Sequence, residues 1–229
     1  MKVTWLGQAG LLFEYNEIKI LIDPYLSDSC RKVNPKSVRK ILIDERFLNI
    51  TPDVLILTHK HLDHTDPETL NHYLGKDGNI TVLASKGAWD IARNFGGNHN
   101  YVMFNYQTEF TTCDICFKAV YAEHSDENAI GVIFECDGQI YYITGDTLYN
   151  ERIFADLPPM IDVIFLPVNG KGNNLNFEDA KRFAKRCGAK KVVPLHWGMF
   201  DEFISDDFVF ENFVALKPYK SEILKNVDE

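Results

Sequence analysis

The chain has 229 residues, enough for one sizeable domain, and its 45% hydrophobic and 25% charged residues lie far from the disordered range. A formal net charge of −9 argues against broad, sequence-independent binding to DNA or RNA and against docking on anionic lipid, since both use basic surface. No apolar stretch approaches the roughly 18 residues needed to span a bilayer.

In chain order, Val3–Leu6, Leu11–Tyr15 and Ile18–Ile22 are short apolar or alternating runs that predict three strands. Gly7-Gln8-Ala9-Gly10 and Asn16-Glu17 separate them as turns. Arg31, Lys32, Lys36, Arg39 and Lys40 then gather five positive charges. A solvated loop or helix face is the plainer reading, and reception of a phosphorylated substrate is the other. Val54–Leu57 is a wholly apolar run of strand length, consistent with a buried strand. Asp66-Pro67-Glu68 is a helix start, with Asp66 as cap and Pro67 in the first position, and the helix runs to about Leu74 before Gly75. Thr81–Ala84 predicts a strand and Gly87–Phe95 a helix. Strands follow at Asp114–Tyr121, Ala129–Glu135 and Gln139–Thr144, the last two joined by a hairpin turn at Cys136-Asp137-Gly138. Val163–Leu166 is a strand, Phe177–Cys187 a helix stopped by Gly188, and Lys191–Leu195 a further strand. No repeat, linker or low-complexity tract divides residues 1–229, which predicts a single domain of packed sheets with helices outside.

Five cysteines are an odd, scattered set. With no long apolar signal region in Met1-Lys2-Val3-Thr4-Trp5-Leu6, they predict a reduced, cytoplasmic protein. Cys113-Asp114-Ile115-Cys116 has zinc-knuckle spacing but no second pair to complete a site, so strand cysteines are the expectation. The apolar tail Phe208-Val209-Phe210 with Phe213-Val214 could pack on a neighbour and make a homo-oligomer.

The chemistry concentrates in His59-Lys60-His61-Leu62-Asp63-His64, directly after Val54–Leu57. A buried strand delivers its last residues to a sheet edge, where alternate residues face the same way, so His59 and His61 can grip one ion. Asp63 and His64, across the turn, point to a second position. Imidazoles with carboxylates suit zinc, manganese or iron. Three further candidates also stand at strand ends: His124 after Ile115–Tyr121, Asp146 after Tyr141–Thr144 through Gly145, and His196 after Val192–Leu195. A polar loop that merely holds histidines does not predict that coincidence. His72, inside a helix, and His99, in a glycine loop, are expected to be surface or capping residues.

His59-Lys60-His61-Leu62-Asp63-His64 resembles the HxHxDH signature of the metallo-β-lactamase superfamily, and His124, Asp146 and His196 match its later motifs. The resemblance implies a four-layer αβ/βα sandwich with two divalent metal ions, zinc or manganese, at the edge of its sheets. It implies that His59, His61 and His124 hold one ion, that Asp63, His64 and His196 hold the other, and that Asp146 bridges them. Asp23, in Leu21-Ile22-Asp23-Pro24, would support the metal-binding loop without ligating, and the same Asp-Pro is also a turn former. Trp5-Leu6-Gly7-Gln8-Ala9-Gly10, Ile143-Thr144-Gly145-Asp146-Thr147, Leu166-Pro167-Val168-Asn169-Gly170 and Pro194-Leu195-His196-Trp197-Gly198-Met199-Phe200 resemble the L-ascorbate-6-phosphate lactonase-like branch. The chain is shorter than that enzyme, so insertions shaping its substrate pocket are expected to be missing.

Two neighbouring cations lower the pKa of a bridging water, so the hydroxide needs no strong organic base; Asp146 would fix the metals and Asp63 shuttle the proton. The expected substrate is a small-molecule lactone of a sugar acid, in some cases phosphorylated. The alternatives are a phosphodiesterase acting on nucleotides or RNA, which the acidic balance disfavours, and a catalytically silent binding protein of the same fold. No Gly-x-Ser-x-Gly motif offers a serine nucleophile. Asn169 could hydrogen-bond substrate or simply form a turn with Gly170. Trp197 and Phe200 could wall a pocket, although packing is the plainer reading.

Overall fold

Strands whose residues are apolar on both faces need cover on both faces, and this chain supplies it with two facing sheets and helices outside them. The computed structural model describes residues 1–209 and 211–224. Its first half holds β1 (Lys2–Gly7), β2 (Gly10–Tyr15), β3 (Ile18–Ile22), α1 (Ser29–Val33), β4 (Val54–Leu57), α2 (Pro67–Leu74), β5 (Thr81–Ala84), α3 (Lys86–Ala92) and β6 (Asn100–Met103). The second holds β7 (Glu109–Thr112), β8 (Ile115–Tyr121), β9 (Ile130–Cys136), β10 (Gln139–Ile143), β11 (Val163–Pro167), α4 (Phe177–Arg186), β12 (Lys191–Leu195) and β13 (Ser221–Ile223). One sheet runs β13-β1-β2-β3-β4-β5-β6 and the other β12-β11-β10-β9-β8-β7.

Side-chain alternation sorts the core. Phe13, Ile20, Ile22, Val54, Ile56 and Leu83 join Phe117, Val132, Phe134, Tyr141 and Phe165 between the sheets. Phe13 meets Phe134, Tyr141 and Phe165 edge-on at centroid distances of 5.4, 5.8 and 5.4 Å, a geometry that aromatic quadrupoles favour. The alternate residues Leu12, Leu21, Leu55, Leu57 and Val82 turn outward onto Leu70, Tyr73 and Leu74 of α2 and Ala88 and Ala92 of α3. On the other sheet Tyr142 stacks on Phe183 of α4. The result is the expected sandwich.

β4 and α2 lie where the sequence places them. Asp66 caps α2 by accepting from Glu68 N and Thr69 N, with Pro67 opening the helix. Cys113 and Asp114 are turn residues, with φ of 52° and 58°, between β7 and β8, so only Cys116 of that pair is a strand cysteine. β6, β7 and β13 were not anticipated. Of the apolar tail, Phe208 is buried and Phe213 and Val214 pack on the core, Val209 is exposed, and Phe210 lies outside the described residues. Among the described residues no helix is long and apolar enough to cross a membrane.

Candidate metal centre

Beyond Leu57 the chain leaves the sheet and folds into a tight turn. His64 N and Thr65 N both donate to His61 O, at 3.0 and 2.8 Å, and Thr65 Oγ1 donates to His59 O at 2.7 Å. Asp66, as the cap of α2, fixes the far end. The turn therefore holds His59, His61, Asp63 and His64 on a rigid segment rather than a free loop.

Three other strand ends meet it. His124 follows β8. Asp146 follows β10 through Gly145, whose φ of 62° and a Cβ that would lie 2.7 Å from Ile130 O leave room only for glycine. His196 follows β12 with φ 63°, left-handed backbone for a side chain with a Cβ, a strain typical of functional positions.

Donor atoms of His59, His61, His124 and Asp146 lie within 4.8 Å of one another, and so do those of Asp63, His64 and His196. Asp146 connects the groups. Its Oδ2 is 4.0 Å from His59 Nε2, while its Oδ1 is 3.2 Å from His64 Nε2 and 2.9 Å from His196 Nε2. All seven side chains singled out by spacing are thus brought together. His72 is exposed on α2, and His99 clips a loop by accepting from Ile80 N and facing Lys76 O, as expected of a non-ligand.

Behind this cluster sits Asp23, buried and left-handed at φ 42°. Its Oδ1 accepts from Thr58 N at 2.8 Å, and its Oδ2 accepts from Thr58 Oγ1 at 2.5 Å and faces His64 Nδ1 at 2.8 Å. The Thr58 hydroxyl gives its one proton to Asp23, so it accepts from His59 Nδ1 at 3.1 Å. His59 thereby carries its proton on Nδ1 and turns a bare Nε2 inward, while His64 Nδ1 on Asp23 aims the His64 Nε2 edge at the same space. His59 Nε2 is buried with no partner, as is Asp146 Oδ1 in hydrogen-bonding terms. A bare, unpartnered imidazole nitrogen beside converging carboxylate oxygens and further imidazoles fits a cation.

The charges argue the same way. Burial pushes His59 well below the usual histidine range, and neighbouring His64 adds to this. His124 is lowered for the same first reason. At His64 burial also lowers, but Asp146, Asp23 and Asp63 outweigh it and hold the ring well above its ordinary value. Asp146, which burial alone would raise, is held well below the carboxylate range by His196 and His64. A divalent ion here would supply the positive charge these carboxylates otherwise draw from imidazole.

The cluster floors a cavity of about 240 Å³ whose walls include Gln8, Asn169, Lys171, Asn174, Phe200 and Asp201. Lys171 stands at the rim, its Nζ 4.0 Å from Asp201 Oδ2. Asp201 is buried and uses Oδ1 to accept from Gly198 N and Phe203 N. Asn169 is on the wall, but Trp197 is not: it packs tilted against Trp5, ring centroids 4.9 Å apart, and donates Nε1 to Pro194 O, a packing role. A larger cavity of about 520 Å³ beside α4 contains none of the histidines. Sequence reasoning missed Gln8, Thr58, Lys171, Asn174 and Asp201. None has a periodic or spacing signal, since each is defined by what tertiary contact brings beside it.

The chain matches the model of the Beta-lactamase superfamily domain over residues 2–196. A UPF0173 metal-dependent hydrolase of Staphylococcus aureus is 28% identical over 241 residues, covering 96% of this chain and 99% of that protein. Among solved structures, the metallo hydrolase Igni18 of Ignicoccus hospitalis shares the fold with TM-score 0.74 at 20% identity, covering 96% of this chain and 97% of its own. An isothiocyanate hydrolase from Delia radicum gut bacteria does so with TM-score 0.72 at 18% identity, covering 97% and 98%. The chain belongs to the metallo-β-lactamase superfamily and groups there with the metal-dependent hydrolases.

Proposed function

We propose that this protein is a cytoplasmic lactonase that uses two divalent ions, zinc or manganese, to open a small anionic lactone. One observation carries the reading: seven donor side chains converge in two groups joined by Asp146, at the floor of a cavity sized for a small molecule. His59, His61 and His124 would hold one ion, Asp63, His64 and His196 the other, and Asp146 would serve both. Such a pair supplies a nucleophile at neutral pH and polarises the substrate oxygen.

The chain's own residues supply the rest. Asp63 is partly open to the cavity, placed to carry a proton on its carboxylate to the leaving alkoxide. Lys171 offers an ammonium at the rim for a substrate carboxylate or phosphate, with Asp201 steadying it. Phe200 gives the wall one apolar side. The resemblance to the ascorbate-phosphate lactonase-like branch supports the same substrate class.

The phosphodiesterase reading is weaker because the basic segment forms no track. Arg39 donates to Tyr25 O, Ser27 O and Ile41 O, Lys32 pairs with Glu68, and Lys40 pairs with Glu202. Long nucleic acid is thus an improbable partner by charge. The test is a hydrolysis panel on zinc- and manganese-loaded protein: a phosphorylated sugar lactone, a neutral lactone and a bis-phosphate ester. Fastest opening of the phosphorylated lactone is expected. Cleavage of the diester alone would replace this reading, and turnover of none would favour a silent binding protein.

A further inference from the structure

Two carboxamides lie against the cluster without belonging to it. Gln8, at the turn between β1 and β2, and Asn174, in the loop before α4, are both buried, as is His196 between them. Gln8 Nε2 donates to Asp63 Oδ2 at 2.8 Å and lies 3.0 Å from His196 Nδ1. Asn174 Nδ2 donates to Asp146 Oδ2 at 3.1 Å and lies 3.3 Å from the same His196 Nδ1. Each amide therefore spans one carboxylate and the one histidine they share.

The backbone is built to hold both. Gln8 has φ 51°, costly for a residue with a Cβ, and its carbonyl accepts from Trp5 Nε1 at 3.0 Å and from His196 N at 3.1 Å. Asn174 hangs from a short loop closed by the Asn169–Asn176 bridge and by Gly170 N donating to Leu175 O at 3.0 Å, with Leu175 buried as its anchor. Asn174 Oδ1 is buried without a partner, so this amide spends a buried acceptor to keep its donor on Asp146.

We propose that Gln8 and Asn174 are positioning residues: an amide clamp that fixes His196, Asp63 and Asp146 for the ion that Asp63, His64 and His196 would bind. An amide suits this place because its one nitrogen carries two protons and faces a carboxylate and the ring edge together. A carboxylate could not donate to Asp63 or Asp146. The proposal rests on the metal reading of the site and not on the identity of the substrate.

The test compares the full chain with Gln8→Met and Asn174→Leu, which keep bulk and lose the amide. Zinc affinity is measured by competition with a chromophoric chelator, and cobalt-substituted protein is examined by its visible absorption. Each variant is expected to weaken the second zinc equivalent by about 10–100-fold, the range for removing a partner of a metal ligand, and to change the cobalt band. The first equivalent should be retained in Gln8→Met, which touches only Asp63 and His196, and weakened less than the second in Asn174→Leu, since Asp146 would serve both ions. Unchanged affinity and spectrum in variants that fold would overturn the proposal, as would equal weakening of both equivalents. If one variant fails to fold, the other carries the test, since each amide touches His196 on its own; failure of both to fold without metal would mean they hold the fold rather than the site, and would also overturn it. A parent protein that binds no zinc would refute the metal reading instead, so the two failures are distinct.

Discussion

Asp23→Asn is the perturbation whose cost can be followed atom by atom. The substitution keeps the side chain's shape and its tolerance of the left-handed backbone at φ 42°. The native carboxylate takes three protons, from Thr58 N, Thr58 Oγ1 and His64 Nδ1. An amide with its NH2 at the Oδ2 position would face two donors; turned over, it faces one. The better orientation thus sets the new NH2 against Thr58 N–H and leaves two buried donors unpaired. Each such group costs about 1–3 kcal/mol, so the loss is about 2–6 kcal/mol, and the remaining bonds lose their charge assistance. Because His64 is then held by a neutral acceptor, zinc affinity should fall by about 10–100-fold. Urea unfolding of the metal-free protein at fixed pH reads the first effect, and chelator competition reads the second. An unchanged urea midpoint at unchanged slope, together with unchanged zinc affinity, would refute the reasoning.

Three further outcomes are expected. Gly145→Ala places a Cβ 2.7 Å from Ile130 O at φ 62°, adding a clash to about 1–2 kcal/mol of backbone strain, so thermal unfolding should move down and metal content fall with it; an unaltered melting temperature would contradict the account. Lys171→Ala should raise KM for a phosphorylated lactone by about 10–100-fold, the value of one hydrogen bond to a charged group, while a neutral lactone is unaffected; equal loss on both would remove Lys171 from substrate binding. Among the thiols, Cys116 is exposed, while burial pushes Cys187 up to about 12 and Cys30 up to about 11. At neutral pH a raised pKa leaves the unreactive protonated thiol. Iodoacetamide followed by mass spectrometry should therefore mark Cys116 first and Cys187 only on unfolding, and Cys187 labelling at the native-state rate of Cys116 would be the wrong result.

The seven converging side chains were legible because the fold delivers each from the end of a strand, and the runs Val54–Leu57 and Val192–Leu195 announce their strands by being wholly apolar. α2 was legible for a local reason, its Asp66 cap and Pro67. β6, β7 and β13 were not. Asn100-Tyr101-Val102-Met103 and Glu109-Phe110-Thr111-Thr112 are only half-covered, and Ser221-Glu222-Ile223 is a strand solely because β1 pairs with it. Their structure is a tertiary consequence. Gln8, beside Gly7, and Asn174, in Gly172-Asn173-Asn174, were hidden for a related reason: amides close to glycine read as turns, and nothing local tells that a histidine 188 residues from Gln8 in sequence will stand beside it. The place of Trp197 next to His196 suits either role, and its tilted packing against Trp5 gives it to the core.

The proposed chemistry depends on a pair of ions sharing Asp146. The most direct measurement is the metal-to-protein ratio of purified parent and Asp146→Ala by inductively coupled plasma mass spectrometry, with folding checked by circular dichroism. The account predicts two divalent ions per chain in the parent and a clear loss in the folded variant. The same ratio in both proteins would contradict it.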